Sequence, residues 1–134
     1  MTALDKDLPF AVVALSGRAL AASGVKAGYR VVVFDIFDDL DTRACADSTC
    51  KVPGSVATGF DADALVSLVG QAAPSSAGFV YGSGLESRPA LLAALSGRSQ
   101  CIGNAADVVR RIKDPGWFFA LLRRLGVPHP ETSL

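Results

Sequence analysis

The sequence predicts an α/β fold in which helices flank a parallel sheet of about four or five strands. Two observations lead to this prediction. Valine-rich apolar runs at residues 10–15 and 29–35 are typical of strands buried on both faces of a parallel sheet. Segments with apolar residues at helical spacing alternate with such runs, and glycine or proline stands at most of the joints. A three-layer, Rossmann-like domain is therefore expected.

The alternation predicts the elements in chain order, and the first crossover, between parallel strands, should be right-handed. The predicted elements are strands at 10–15 and 29–35 around a helix at 18–27, a helical turn at 41–46, an edge strand at 49–52, a helix at 62–73, a strand at 77–81, a helix at 89–97, a short strand at 100–102, and helices at 105–112 and 115–125.

Capping residues predict where several helices begin and end. Asp61, Asn104 and Asp114 are N-cap candidates because their side chains can accept a hydrogen bond from the first turn. Gly28, Pro74 and Gly126 are expected to end helices. Apolar residues at helical spacing are predicted to face the core, namely Leu20, Ala21, Val25, Leu65, Leu68, Val69, Ala72, Leu91, Leu92, Leu95, Trp117, Phe118, Leu121, Leu122 and Leu125.

Composition limits the classes of function. The 134 residues are 50% hydrophobic and 19% charged, as expected for one globular domain. Thirteen Lys and Arg residues balance thirteen Asp and Glu residues, so neither nucleic acid nor a membrane surface is an expected partner. The first residues lack the apolar stretch of a signal peptide, which predicts a cytoplasmic protein.

The three cysteines are predicted to be free thiols. Cys45, Cys50 and Cys101 are odd in number, which argues against a closed disulfide framework. With His129, the only histidine, Cys45 and Cys50 supply fewer ligands than a zinc site needs. No bound metal is therefore expected.

Topology predicts where a ligand would bind. In open parallel sheets, ligands bind beyond the carboxyl ends of the strands, where the strand order reverses. If the first strand neighbours the fourth, the loop Ser16, Gly17, Arg18 meets the loop at residues 82–86. Arg18 could then bind a carboxylate or phosphate and Ser16 could donate its hydroxyl. In the alternative, the glycines only make tight turns and Arg18 lies in solvent. The residues predicted to contact the ligand are Ser16, Gly17, Arg18, Gly82, Ser83, Gly84 and Glu86.

Acidic residues after the second strand have other possible roles. Asp35 stands where a dinucleotide-binding fold holds a ribose hydroxyl, but the first loop has one glycine where that fingerprint needs three. With Asp38, Asp39 and Asp41 it could hold magnesium or accept a phosphoryl group. A solvated loop with Arg43 as a salt partner is favoured.

Several short pieces, taken in order over nearly the whole chain, resemble the N-terminal part of an ATP-grasp ligase. They are Gly-Ser-Gly-Leu-Glu at 82–86, Ile-Gly-Asn at 102–104, Lys-Asp-Pro at 113–115, Phe-Phe-Ala-Leu-Leu at 118–122 and Leu-Gly-Val-Pro-His-Pro-Glu-Thr at 125–132. The run at 35–43 resembles uncharacterised carboligase-like members of that group, which accompany one-carbon cofactor genes in methylotrophs.

The resemblance implies a pre-ATP-grasp domain at residues 1–125, followed at 126–134 by a linker or the start of an ATP-grasp domain that the sequence lacks. Such ligases use ATP and magnesium to activate a carboxylate as an acyl phosphate, which an amine then attacks. The clamp for ATP and magnesium would lie downstream, so this chain alone should bind neither and should not catalyse.

The same resemblance implies roles for individual residues. Glu86 would meet a substrate ammonium and Arg18 the substrate carboxylate. Many relatives place a lysine near the nucleotide at about Pro115, and Lys113 is a candidate substitute. Two other functions stay open: a free-standing nucleotide- or dinucleotide-binding module with a site across Gly17 and Asp35, or a non-enzymatic interaction domain that dimerises through its C-terminal helix.

Overall fold

The computed structural model describes residues 7–72 and 75–133. These residues form, in chain order, β1 (Phe10–Val13), α1 (Arg18–Lys26), β2 (Val31–Asp35), α2 (Leu40–Cys45), β3 (Ser48–Lys51), β4 (Gly54–Ser55), β5 (Gly59–Phe60), α3 (Ala62–Ala72), β6 (Phe79–Tyr81), α4 (Pro89–Ser96), α5 (Ala106–Ile112) and α6 (Pro115–Arg124).

A four-stranded parallel sheet forms the centre of the domain, in the order β3-β2-β1-β6. Val12 in β1 pairs with Val33 on one side and with Val80 on the other. The predicted strand at 100–102 is reduced to a single parallel bridge between Cys101 and Phe79. The antiparallel pair β4 and β5 was not predicted, because strands of two residues are too short to show an alternating pattern.

Both faces of the sheet are buried, which explains the continuous apolar sequence of its strands. Successive side chains of β1 point to opposite faces. Val13 joins the larger core with Phe79 and Leu92, whereas Val12 joins a smaller core beneath α1. The predicted α/β fold with a parallel sheet between helices is therefore confirmed.

The buried face of α1 differs from the prediction. Ala21 is buried as predicted, and Gly24 is buried beside it, but Leu20 and Val25 are 36% and 40% exposed. A Cβ atom at Gly24 would lie 2.6 Å from Cζ of Phe10, so the smallest residues of the helix face the sheet. This close approach turns the larger apolar side chains outward. The predicted stop of α1 is confirmed, because Gly28 has a φ of +81°.

Most predicted helix ends are confirmed. The Asp61 carboxylate accepts from the Ala64 N–H at 3.0 Å, and the Asp114 carboxylate accepts from the Trp117 N–H at 3.0 Å. Gly126 ends α6 with a φ of +66°. Asn104 is not the N-cap of α5: Ala105 is, and the Asn104 carbonyl instead accepts from the Tyr81 hydroxyl at 2.8 Å. The predicted stop at Pro74 lies outside the described residues.

The prediction that α6 is a core helix is wrong. None of its residues is buried, and Trp117 and Leu125 are 39% and 62% exposed. The helix packs chiefly against α5, which is itself outside the sheet, so it has no deep core to enter. Arg111 on α5 covers part of the Trp117 ring, with its guanidinium carbon 5.8 Å from the ring centroid. The apolar face of α6 is therefore left partly in solvent.

Among the described residues, no helix combines the length and the apolar character that crossing a membrane would require.

Candidate functional site

The two predicted ligand loops meet at the carboxyl edge of the sheet. Because β1 lies between β2 and β6, the strand order reverses there, as the prediction required. The Leu15 N–H donates to the Ser83 carbonyl at 2.9 Å, and the Gly82 N–H donates to the Val13 carbonyl at 2.9 Å. We refer to residues 16–18 and 82–86 as the switch-point loops.

Gly17 is required by packing rather than by a tight turn. Its φ of −84° is open to any residue, but a Cβ atom would lie 2.4 Å from Cγ1 of Val33. The absent side chain lets the loop settle onto β2. There the Gly17 N–H donates to Oδ2 of Asp35 at 3.0 Å.

The second loop is closed by its own residues. Gly84 has a φ of +99°, and a Cβ atom there would lie 2.7 Å from Cγ of Leu15. The Gly84 N–H donates to Oε2 of Glu86 at 2.6 Å, and Leu85 between them is fully buried. Glu86 is half-buried, and its bond to the Gly84 N–H means that its carboxylate helps to shape the loop.

Apart from Glu86, the polar side chains of the switch-point loops face solvent. Ser16 and Ser83 are both exposed. Arg18 is 55% exposed and forms an ion pair with Asp41 on α2, with 2.9 Å between Nη1 and Oδ2. Both members of this pair are exposed, so the attraction is weak and little free energy is needed to separate Arg18 from Asp41.

The acids after β2 have structural partners: the predicted salt partner, Arg43, pairs with Asp38, but Asp35 is buried and not part of a solvated loop. Oδ1 and Oδ2 of the buried Asp35 each accept a backbone N–H, from Asp38 at 2.7 Å and from Gly17. Asp39 caps α2 by accepting from the Thr42 N–H at 2.8 Å. Asp41 holds Arg18. Among residues 7–72 and 75–133, no group of three or more His, Cys, Asp or Glu side chains is placed to hold a metal ion.

The position of Asp35 argues against the dinucleotide hypothesis. Asp35 is 1% exposed, and each of its carboxylate oxygens already accepts a backbone N–H. A ribose hydroxyl could bind there only by displacing one of those donors, which would leave a buried N–H unpaired.

The Asp38 carboxylate is held by one charged and one neutral hydrogen-bond donor. It accepts from the Arg43 guanidinium and from the Thr49 hydroxyl, which keeps the pKa of Asp38 well below its usual range. Arg43 makes the larger contribution to the lowered pKa. Asp38 also has a φ of 51°, a conformation in which Asp and Asn are tolerated better than other side chains.

The lowered pKa of Asp38 predicts a loss of stability in acid. A carboxyl group whose pKa is lower in the folded state stabilises the fold above its unfolded pKa of about 4, and this contribution is lost as the pH falls below that value. Urea unfolding should show the wild type losing more stability between about pH 5 and pH 2 than Asp38→Asn does, because asparagine does not titrate. Parallel pH profiles for the two proteins would contradict the role assigned to the Asp38 charge.

Lys113 is exposed at the end of α5. Among the described residues, no recorded hydrogen bond or ion pair links its side chain to the switch-point loops.

Sequence reasoning missed Arg88. Its Nη1 donates to the Phe60 carbonyl at 2.6 Å, and the same guanidinium would lie 3.3 Å from a Cβ atom at Gly59. Arg88 thus fastens the β4–β5 pair to the start of α4. No sequence signal points to this contact, because its acceptor is a backbone carbonyl 28 residues away.

A groove of about 920 Å³ lies elsewhere, between α3 and α4. Small residues open it: Gly70 on α3 faces Ala90 and Ala94 on α4 across the groove. The aliphatic stem of Arg98 packs within 4 Å of the Cβ position of Gly70. The groove is therefore a consequence of small side chains between two helices, and the strand-order argument still favours the switch-point loops.

The fold has clear counterparts among solved carboxylases. A biotin carboxylase domain of a single-chain bacterial carboxylase matches with a TM-score of 0.68 at 20% identity, over 92% of this chain and 30% of that chain. A second match is the biotin carboxylase domain dimer of the Hydrogenobacter thermophilus 2-oxoglutarate carboxylase, in complex with MgADP, ADP and bicarbonate. Its TM-score is 0.69 at 17% identity, over 94% of this chain and 29% of that chain. The multifunctional pyruvate carboxylase of Rhizobium etli matches with a TM-score of 0.68 at 16% identity, over 93% of this chain and 13% of that chain.

At these identities the likeness establishes the fold alone, and the predicted three-layer, Rossmann-like α/β domain is confirmed. This chain spans less than a third of the length of each of these three carboxylases. No protein-family model matches the sequence, and the comparison with curated proteins found no match.

Proposed function

We propose that this chain is the substrate-side N-terminal domain of an ATP-dependent carboxylate–amine ligase of the ATP-grasp class, and that it does not catalyse alone. One observation carries the proposal: β1 lies beside β6, so the loop that bears Arg18 adjoins the glycine-rich loop that ends at Glu86. The likeness in fold to carboxylases, one of them solved with MgADP and bicarbonate, supports the same class.

The switch-point loops would bind and orient the substrate. The Arg18 guanidinium suits a carboxylate because its fork of N–H donors matches two carboxylate oxygens. The exposed hydroxyls of Ser16 and Ser83 would donate to the same group. Glu86 would accept from a substrate ammonium with the lone pairs that its bond to the Gly84 N–H leaves free.

ATP and magnesium would be held by the rest of the ligase. The acids after β2 are occupied by backbone groups and arginines, so they do not fit a magnesium site. Bound nucleotide would activate the carboxylate as an acyl phosphate, and the amine would displace phosphate. In this proposal residues 1–125 form the substrate domain, 126–134 lead towards the ATP-grasp part, and Lys113 is the candidate for contact with the nucleotide.

Further parts of the proposal concern partners and relatives. The exposed apolar face of α6, which includes Trp117 and Leu125, favours a homodimer or a contact with the rest of the ligase. The balanced charge favours a small-molecule ligand over nucleic acid or membrane, in the cytoplasm. The kinship with carboligase-like proteins of methylotrophs stays a prediction.

The proposal is tested by NMR titration of the chain with glycine, which carries a carboxylate and an ammonium. We expect saturable shifts at the Gly17, Arg18 and Gly84 amides. Acetate should move the first loop alone and methylamine the second. Shifts caused by NAD⁺ but not by glycine would favour the dinucleotide module, and no response to any of these ligands would reject the site.

Asp41 is expected to compete with the substrate for Arg18. Replacing it by Asn should tighten acetate binding by up to about fivefold, because an exposed ion pair of about 0.2–1 kcal/mol no longer has to be broken. The matched control is Asp63→Asn, an exposed acid at the start of α3. Equal acetate affinities for the two variants, measured by the same titration, would show that Arg18 is not the anion-binding group.

A further inference from the structure

We propose that Asp35 is a positioning residue. Its carboxylate holds the loop that carries Arg18 and the turn at Asp38 in the geometry for substrate binding. This inference rests on the proposed function, because it assigns Asp35 a role at the same substrate site. Asp35 ends β2 and is 1% exposed, whereas the other three acids of the cluster are not buried. Its two carboxylate oxygens accept from two different loops.

The first connection leads to Arg18 itself. Oδ2 of Asp35 accepts from the N–H of Gly17, the residue directly before Arg18 and the N-cap of α1. Gly17 has no side chain to anchor it, and α1 has no side-chain cap. The Asp35 carboxylate therefore fixes where α1 begins and where the Arg18 side chain leaves the backbone.

The second connection leads to the partner of Arg18. Oδ1 of Asp35 accepts from the Asp38 N–H, which holds the left-handed turn at Asp38. That turn is followed directly by the cap of α2 at Asp39, and α2 carries Asp41. Both residues of the Arg18–Asp41 ion pair are thus placed by N–H groups bound to one buried carboxylate.

An uncharged side chain cannot replace this arrangement. Asparagine has the same shape but only one acceptor oxygen, and its amide nitrogen would face an N–H donor. Asp35→Asn therefore releases either the Gly17 N–H or the Asp38 N–H, and with it the loop that contains that residue. The variant removes no group that would touch the substrate.

The matched control is Asp47→Asn at the opposite edge of the sheet. Oδ2 of Asp47 accepts from the Val31 N–H at 2.7 Å, at the start of β2. Both variants remove the charge of a carboxylate that accepts a backbone N–H at one end of β2. Only Asp35 adjoins the switch-point loops, so a difference between the variants reports on position rather than on the loss of a bond.

The test measures amide hydrogen exchange and glycine affinity in the chain by NMR. We expect Asp35→Asn to speed exchange at Gly17 or Asp38 by about tenfold or more, as the loss of a charged hydrogen bond predicts. We expect it to weaken glycine binding by about fivefold or more, whereas Asp47→Asn changes that affinity by less than about twofold.

The outcomes separate this inference from the proposed function. If the wild type binds glycine and Asp35→Asn binds it equally well, Asp35 only supports the fold and the positioning role is overturned. If the wild type binds no glycine, the proposed function fails and the positioning role with it. If Asp35→Asn does not fold, the wild type decides: bound glycine should slow exchange at Gly17 and Asp38, and unchanged exchange would overturn the inference.

Discussion

Replacing Gly84 by alanine is expected to lower the free energy of unfolding by about 2–5 kcal/mol. Gly84 has a φ of +99°, which L-amino acids with a side chain rarely adopt. The new Cβ atom would also lie 2.7 Å from Cγ of Leu15 and 3.2 Å from Cε2 of Phe60, so strain and overcrowding add. The loop would have to move away from β1, and the ligand site would change with it.

Urea unfolding followed by circular dichroism measures this effect. Gly97→Ala is the matched control, because Gly97 has a φ of −75° and its nearest contact to a new Cβ would be an ordinary 3.4 Å from the Ala94 carbonyl. We expect the control to stay within about 1 kcal/mol of the wild type. Equal midpoints for the Gly84 and Gly97 variants would contradict the loop geometry.

Replacing Arg18 by alanine is expected to weaken acetate binding by about ten- to a hundredfold, the range expected when a hydrogen bond to a charged group is lost. The fold should lose little, because the ion pair of Arg18 with Asp41 is exposed on both sides. Arg18→Lys should restore only part of the affinity, since lysine lacks the two-pronged geometry.

Arg30→Ala is the control for Arg18→Ala. Arg30 is 58% exposed, close to the 55% of Arg18, and it pairs with Asp47 before the start of β2 rather than beyond its carboxyl end. NMR titration should show unchanged acetate affinity for Arg30→Ala. Equal losses in both variants would mean that acetate responds to total charge and not to a site.

Local signals in the sequence predicted the fold well where a single side chain decides. Asp61 and Asp114 cap helices because an N-cap needs only a carboxylate one turn away from its partner. Gly28 and Gly126 end helices because each adopts a positive φ. Three strands of the main sheet, β1, β2 and β6, were visible for a similar reason, since apolar runs survive small errors in their boundaries.

Packing partners were harder to predict. Helical periodicity predicted that Leu20 and Val25 lie on the buried face of α1. The residues that pack on the sheet are instead the small ones, Ala21 and Gly24. Periodicity also marked the apolar side of α6, but it could not reveal that α6 would find only α5 to pack against. An apolar face predicts a partner without saying whether the chain itself supplies it.

The candidate site shows the same division. Strand order and glycine content predicted that the switch-point loops would meet. The ties that shape them were not visible: Asp35 to Gly17, Glu86 to Gly84 and Arg88 to Phe60 are bonds to backbone groups. Backbone acceptors and donors are present at almost every residue, so no sequence pattern distinguishes the one that is used.

The intact mass of the protein in its native source tests the central claim most directly, because the account makes this chain one domain of a larger ligase. We expect a species far heavier than the 13.8 kDa of this chain. In that longer protein, Arg18→Ala should impair ATP-dependent ligation and leave the fold intact. A native species of 13.8 kDa would contradict the account, because this domain would then act alone.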